Sequence, residues 1–178
     1  MISHLPDPLA AAASAADIGS FYRAVTTASF TLLGLWWVVV QLRYARGDGE
    51  ADKRRHAYGV ALFFLLPGLG SLAASLNGEL TALWRVAFGL CAVLGIAEAL
   101  TYLWTTGARS AGALTLRAFG VVLYVMMAAV AARPELATDL RLGLAPREVE
   151  AILLTLVLLV GAHLAWLGLT EPAETAGA

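Results

Sequence analysis

The sequence predicts an all-α membrane protein, a bundle of five transmembrane helices with the N-terminus outside and the C-terminus inside. Three observations lead to this fold class. The apolar residues fall into five runs, each of about 20 residues or more, the length that crosses the hydrocarbon core of a bilayer. The composition is 60% hydrophobic and only 14% charged, whereas a soluble domain carries about 25% charged residues. Basic residues are also more numerous on one side of the predicted bundle.

The five predicted spans leave little of the chain outside the lipid. They cover about residues 21–44, 56–77, 80–104, 111–132 and 149–170. Residues 1–20 form an N-terminal tail, and residues 171–178 form a C-terminal tail. Within the first tail, Asp7 and Pro8 resemble a helix cap followed by a first-turn proline, which predicts a short interfacial helix over 8–16. A disordered tail is the alternative. A soluble catalytic domain has no room to fold.

The lysine and arginine residues set the predicted orientation, because cytoplasmic loops carry an excess of them. Seven lie on one side of the predicted bundle: Arg43, Arg46, Lys53, Arg54, Arg55, Arg109 and Arg117. Five lie on the other side: Arg23, Arg85, Arg133, Arg141 and Arg147. The compact group at 53–55 abuts a span and therefore places its side in the cytoplasm.

The basic residues also predict the location of the protein. All but one of them are arginine, and Ala, Leu and Gly are abundant, which indicates a GC-rich bacterial genome. The first basic residue is Arg23, too far along the chain to belong to the basic start of a cleavable signal peptide. We therefore expect a multi-pass protein of the bacterial cytoplasmic membrane, in contact with the lipid bilayer.

Turn residues predict how the spans are connected. Gly78-Glu79 forms a tight outer turn, and residues 105–110 form a tight inner one, so the spans that they join are antiparallel neighbours. A short outer helix is predicted over 134–142, with Gly143 as its end. Pro146 is placed at the first helical position before the last span.

Small residues predict where the helices pack closely, because they let two backbones approach each other in lipid. In the third span they form a stripe at four-residue spacing: Ala87, Cys91, Gly95 and Ala99. The second and fifth spans have related sets: Gly70, Ala74 and Gly78, and Gly161, Ala165 and Gly168. These sets predict a tight core of spans two, three and five. They fit packing within one chain or a close contact between the copies of a homo-oligomer.

The middle of the second span contains Pro67-Gly68-Leu69-Gly70. Proline removes a backbone hydrogen bond and kinks a helix. A helix break at Pro67, Gly68 and Gly70 would expose backbone carbonyls to an ion or a substrate, as in transporters. A proline kink tolerated by the neighbouring helices is the alternative.

Three ionisable residues fall inside the predicted spans, where each needs a partner or a function. Glu98, Arg117 and His163 lie six or seven residues from the inner ends of their spans. At about 1.5 Å per residue, all three are about 9–11 Å deep and fall in one layer. Tyr124 lies seven residues after Arg117 on the same helix face, and it completes the predicted polar cluster.

The predicted cluster has a structural and a functional interpretation. Glu98 and Arg117 can meet through the inner turn, and an ion pair would lower the cost of burying both. His163 would bond to Glu98, to Tyr124 or to a backbone carbonyl. As a structural pair, the charges fix helix register. As a functional site, a carboxylate and a histidine line a narrow inner vestibule and act as a proton relay or a selectivity site. A third interpretation has Arg117 reaching the inner surface instead.

The predicted function follows from these buried charges and from what the sequence lacks. It contains no nucleotide-binding loop and no catalytic or metal-binding motif, Cys91 is the single cysteine, and the net charge is −1. We expect no cofactor, no metal, no nucleic-acid partner and no enzymatic activity. The leading interpretation is an ion or small-solute channel or transporter that acts as a homo-oligomer. The alternative is a non-transporting membrane subunit, anchor or sensor. An intramembrane enzyme is the weakest interpretation, because no nucleophile accompanies Glu98 and His163.

Overall fold

The computed structural model describes residues 8–44, 51–76, 81–105, 111–139 and 143–170, and the regular structure of these residues is entirely helical. Six helices follow one another: α1 (Pro8–Tyr44), α2 (Ala51–Ser75), α3 (Thr81–Thr105), α4 (Ala111–Ala132), α5 (Leu136–Asp139) and α6 (Pro146–Thr170). All except α5 are long and apolar enough to cross a membrane. The prediction of an all-α chain with five helices of spanning length is therefore confirmed.

The long helices alternate in direction, so the bundle has two ends. We call the end at which α1 begins the first end and the end at which α1 stops the second end. At the first end, the hydroxyl of Tyr22 in α1 donates to the carbonyl of Arg147 in α6 at 2.6 Å. At the second end, Arg43 of α1 donates to the carbonyls of Gly168 and Leu169 in α6 at 2.8 and 2.6 Å. The long connection that contains α5 lies at the first end.

Helices α2 and α6 lie at the centre of the bundle. Helix α2 contacts α1, α3 and α6, and α6 contacts α1, α2, α4 and α5. Helix α3 packs against α2 and α4, and within the described ranges it makes no contact with α6. Of the three contacts in the predicted core of spans two, three and five, the structure contains those of α2 with α3 and of α2 with α6. Helix α4, which was left out of the predicted core, packs between α3 and α6.

The small-residue stripe of α3 is used for packing inside the chain. Cys91 is buried, and a Cβ at Gly70 of α2 would stand 3.8 Å from its Sγ atom. Gly95 faces the ring of Tyr124 in α4. Ala99 is fully buried, whereas Ala87 is half-buried. The stripe thus faces α2 and α4 at different points along its length. This arrangement corresponds to packing within one chain, one of the two alternatives that the small residues allowed.

Helix α2 runs without interruption through the predicted helix break. Pro67 lies inside the helix, and Pro67, Gly68 and Gly70 are all buried. A Cβ at Gly68 would stand 3.1 Å from the Cβ of Ser29 in α1. The small residues therefore bring α1 close to this part of α2, and the helix continues because its neighbours pack around the position without a backbone N–H.

The chain around the other helix ends differs in detail from the prediction. Residues 8–16 form the first part of the continuous helix α1, not a separate interfacial helix. Helix α5 covers Leu136–Asp139, inside the predicted 134–142, and Gly143 follows with a φ of +68°, which favours glycine. Helix α6 begins at Pro146 as predicted. The turn at Gly78-Glu79, most of the turn at 105–110 and the tails at 1–7 and 171–178 lie outside the described residues.

The outward faces of the long helices are apolar. Many large apolar side chains there are more than a third exposed, and examples from four helices are Leu35, Leu42, Val86, Leu90, Val93, Val122, Val125, Ile152 and Leu159. In water such a surface would be a site of aggregation or association. Its breadth, around a bundle of spanning length, fits contact with the acyl chains of a bilayer.

Candidate functional site

Glu98 and Arg117 form an ion pair inside the bundle. Glu98 comes from the second half of α3 and Arg117 from the first half of α4. Nη1 of Arg117 lies 3.2 Å from Oε1 and 3.4 Å from Oε2 of the carboxylate. The Arg117 side chain is 0% exposed, whereas that of Glu98 is 14% exposed. The guanidinium is therefore enclosed by protein, and the carboxylate forms the edge of the pair that reaches the surface.

Two further side chains extend this pair towards the second end. The guanidinium carbon of Arg117 lies over the ring of Tyr102 in α3, 3.3 Å from the ring centroid. The hydroxyl of Tyr102 shares a hydrogen bond of 3.1 Å with Nδ1 of His56 in α2. We call Glu98, Arg117, Tyr102 and His56 the second-end cluster. It links three helices by a charge pair, a cation–π contact and a hydrogen bond.

Two glycines make room for the second-end cluster. A Cβ at Gly59 of α2 would collide with Oε1 of Glu98 and would stand 3.1 Å from Nη2 of Arg117. A Cβ at Gly168 of α6 would stand 2.6 Å from Nε2 of His56. The backbones of α2 and α6 thus form part of the walls of the cluster, and any side chain at these positions would displace its polar groups.

An aromatic layer lies on the first-end side of the cluster. We use this term for Phe63 of α2 and Tyr124 of α4, whose ring centroids are 5.7 Å apart. Both side chains are buried, and the hydroxyl of Tyr124 has no hydrogen-bond partner within the described ranges. The rings fit because glycines from three helices face them: Gly95, Gly120 and Gly161. Tyr124 thus packs next to the predicted cluster and does not bond to its charges.

The structure does not bring His163 into this layer. The histidine is exposed on the outer face of α6, and its Nδ1 atom bonds to the carbonyl of Leu159 in the same helix at 2.8 Å. This is the backbone-carbonyl alternative of the prediction. The depth estimate left the direction around the helix axis open, and residues one position away, such as Leu164, are the ones that point into the bundle.

Sequence reasoning missed His56, Tyr102 and Gly59 as members of the site. The predicted cluster contained none of these three residues. A signal was nevertheless present, because Tyr102 lies four residues after Glu98 and therefore on the same face of α3. His56 and Gly59 are three residues apart on α2 and share a face in the same way.

The hydroxyl and the ring of Tyr102 are expected to make separable contributions. Tyr102→Phe removes the bond to His56 and should lower the free energy of unfolding by about 1 kcal/mol. Tyr102→Leu also removes the cation–π contact and the packing of the ring, so it should be the more destabilising of the two variants. Thermal or denaturant unfolding of the purified variants in the same detergent measures this order. Equal losses for both variants would contradict it.

The second-end cluster thus places one charge pair, one tyrosine and one histidine in contact. No group of three or more His, Cys, Asp or Glu suited to a metal ion occurs in the part of the chain that the structure describes. In comparisons with known proteins, no family model matches the chain, and neither a curated protein nor a solved structure matches it. The functional conclusion therefore depends on the geometry of this site.

Proposed function

We propose that the chain is a small polytopic membrane protein that conducts or transports a small ion or solute, with Glu98 on or beside the pathway. The observation that carries the proposal is the Glu98–Arg117 pair itself. Ionisable groups at this depth in a spanning bundle are costly and mostly serve a function. The exposed edge of the pair is the carboxylate, while Arg117 behind it is fully enclosed. A substrate would thus meet Glu98 first.

The geometry around the pair supports a pathway that opens towards the second end. His56 and Tyr102 continue the polar groups in that direction, whereas Phe63 and Tyr124 close the opposite side. Histidine exchanges protons near neutral pH, so the position of His56 on the second-end side of the charge pair fits proton-coupled movement. In this proposal His56 takes the role that the sequence assigned to His163.

The orientation and the assembly belong to the same proposal. The second end faces the cytoplasm, because Arg43, Arg54 and Arg55 lie there, so the N-terminus is outside. We place the chain in a bacterial cytoplasmic membrane. The described interior between α2, α4 and α6 is filled by buried side chains. A solute would therefore pass along the outer edge of Glu98 or between copies of the chain, which favours a homo-oligomer.

Ion flux in proteoliposomes tests the proposal directly. The purified full chain is reconstituted, and fluxes of K⁺, Na⁺, H⁺ and Cl⁻ are compared between the wild type, Glu98→Gln and Asp139→Asn. The wild type should pass at least one of these ions, and Glu98→Gln should change its rate or ion preference several-fold. Asp139 is exposed in α5, so its variant should behave as the wild type. A folded wild-type chain that passes none of the ions would contradict the proposal.

A second candidate function is a non-transporting membrane subunit, anchor or sensor. The specific observation in its favour is that Arg117 is 0% exposed and lies against the ring of Tyr102, as a purely structural charge pair would. Under this proposal the pair fixes the register of α3 and α4, and the chain should co-purify with a partner from native membranes. Absence of flux together with such a partner would favour this candidate.

A further inference from the structure

Glu150 is a buried carboxylate for which the proposed pathway has no use. It lies in the second turn of α6 at the first end and is 0% exposed. Neither Oε1 nor Oε2 has a hydrogen-bond partner within the described ranges. An ionised carboxylate in a dry interior is strongly unfavourable unless it is paired. The residues that the structure describes therefore supply no binding partner for this group.

The nearest arginine is held by other groups. Arg147 precedes Glu150 by one turn, but its Nη2 atom donates to the carbonyl of Ala74 in α2 at 2.8 Å. Its guanidinium carbon lies 5.7 Å from the ring centroid of Tyr22. Among the residues that the structure describes, no ion pair joins Glu150 to Arg147. The arginine thus does not occupy the carboxylate, although its own Nε atom also has no hydrogen-bond partner among the described residues.

Two unpartnered hydroxyls lie on α1 and α2, the helices that contact this end of α6. Ser29 of α1 and Ser71 of α2 are both 0% exposed, and neither Oγ atom has a partner among the residues described. The register of α2 against α6 places Ser71 level with Glu150. Arg147 meets Ala74 on the first-end side, and a Cβ at Gly70 would stand 3.9 Å from Leu154 on the other side. Ser29 lies deeper, where α1 meets Gly68.

We propose that Glu150, with Ser71 level with it on α2, is a binding site for a small monovalent cation, either Na⁺ or a proton. The site offers oxygen atoms only, which is the ligand chemistry of hard cations. Its residues are fully enclosed, so the ligand must be small and stripped of water, which excludes organic cations. A single carboxylate with Arg147 one turn away does not supply the negative charge that a divalent ion needs.

This site is separate from the second-end cluster. Glu150 lies four residues from the start of α6 at the first end, and Glu98 lies in the half of α3 that ends at the second end. The aromatic layer of Phe63 and Tyr124 lies between them. The inference concerns binding, so it holds or fails independently of whether the chain transports an ion.

Two measurements on the reconstituted full chain test the site. The first compares the midpoint temperature of thermal unfolding in Na⁺ with that in N-methyl-D-glucamine, at equal ionic strength and fixed pH. A ligand that binds the folded state raises this midpoint. The second is the infrared difference spectrum of the carboxyl C=O stretch after a pH jump at fixed Na⁺. The variants are Glu150→Gln, Ser71→Ala and Glu98→Gln. The matched control is Asp17→Asn, an exposed acid at the first end.

The outcomes separate the two cations. Na⁺ is assigned if it raises the unfolding midpoint of the wild type and of Asp17→Asn but not that of Glu150→Gln. In that case Ser71→Ala should need a higher Na⁺ concentration than the wild type to reach half of the increase. A carboxyl band that responds to the pH jump and is missing only in Glu150→Gln assigns the proton. A wild type with neither response overturns the proposal, whether or not Glu150→Gln folds. A response that Glu98→Gln removes also overturns it, because the ligand then belongs to the second-end cluster.

Discussion

Replacing Arg117 with glutamine is expected to lower the free energy of unfolding by about 3–5 kcal/mol, the cost of leaving a buried charge without its partner. Arg117 is 0% exposed, and its guanidinium lies against the ring of Tyr102 and close to Gly59. Glu98→Gln should destabilise the chain for the same reason, by leaving the arginine without its carboxylate.

The double variant Glu98→Gln, Arg117→Gln tests whether this loss comes from the pair. With both charges removed, the two amides can bond to each other, so the double variant should recover part of the stability that either single variant loses. Unfolding of all four proteins in one detergent gives the interaction energy of the cycle. Arg133→Gln is the matched control, because Arg133 is exposed just after α4. Purely additive losses would show that the two side chains are not coupled.

The same four proteins distinguish the two candidate functions. If Glu98 only fixes helix register, the double variant should regain function along with stability. If Glu98 is part of a pathway, the double variant regains stability while its flux stays altered, because a neutral amide cannot replace a carboxylate in binding a cation. Stability and flux must therefore be measured on the same preparations.

The sequence was sufficient to predict the layer of the charge pair but not the identity of every residue in it. The tight connection between spans three and four brings Glu98 and Arg117 to equal depth, since both are counted from the same turn. Rise per residue gives depth along a helix, however, and says nothing of the direction around its axis. For that reason His163 was included although it faces outwards. His56, at the very start of the second predicted span, was not considered, although its ring contacts Tyr102.

Glu150 shows a second limit of sequence reasoning. It lies four residues after Pro146, where an acidic residue at the start of a helix is ordinary and favoured by the helix dipole. Glu148, two residues earlier, behaves in this ordinary way, because its carboxylate accepts the N–H of Ala145 at 2.7 Å. Only the packing of α1 and α2 over this turn of α6 makes Glu150 buried. Contacts of that kind depend on the tertiary structure and leave no local pattern.

The second large effect is expected at Gly95, where α3 meets the aromatic layer. A Cβ at this position would stand about 2.5 Å from the ring carbons of the fully buried Tyr124. Gly95→Ala must therefore move a large ring that has no free space beside it, and overpacking of this kind costs about 1–3 kcal/mol. Unfolding of the variant in detergent, compared with the wild type, measures the loss.

Gly89→Ala is the matched control, because it lies in the same helix and its added Cβ would meet no atom within 4 Å. Alanine is the better helix former by about 0.5–1 kcal/mol, so this variant should be neutral or slightly more stable. Opposite signs for the two substitutions would show that contact with Tyr124 decides the outcome. Equal effects of the two substitutions on stability would mean that the Tyr124 ring moves freely to accommodate the added methyl group.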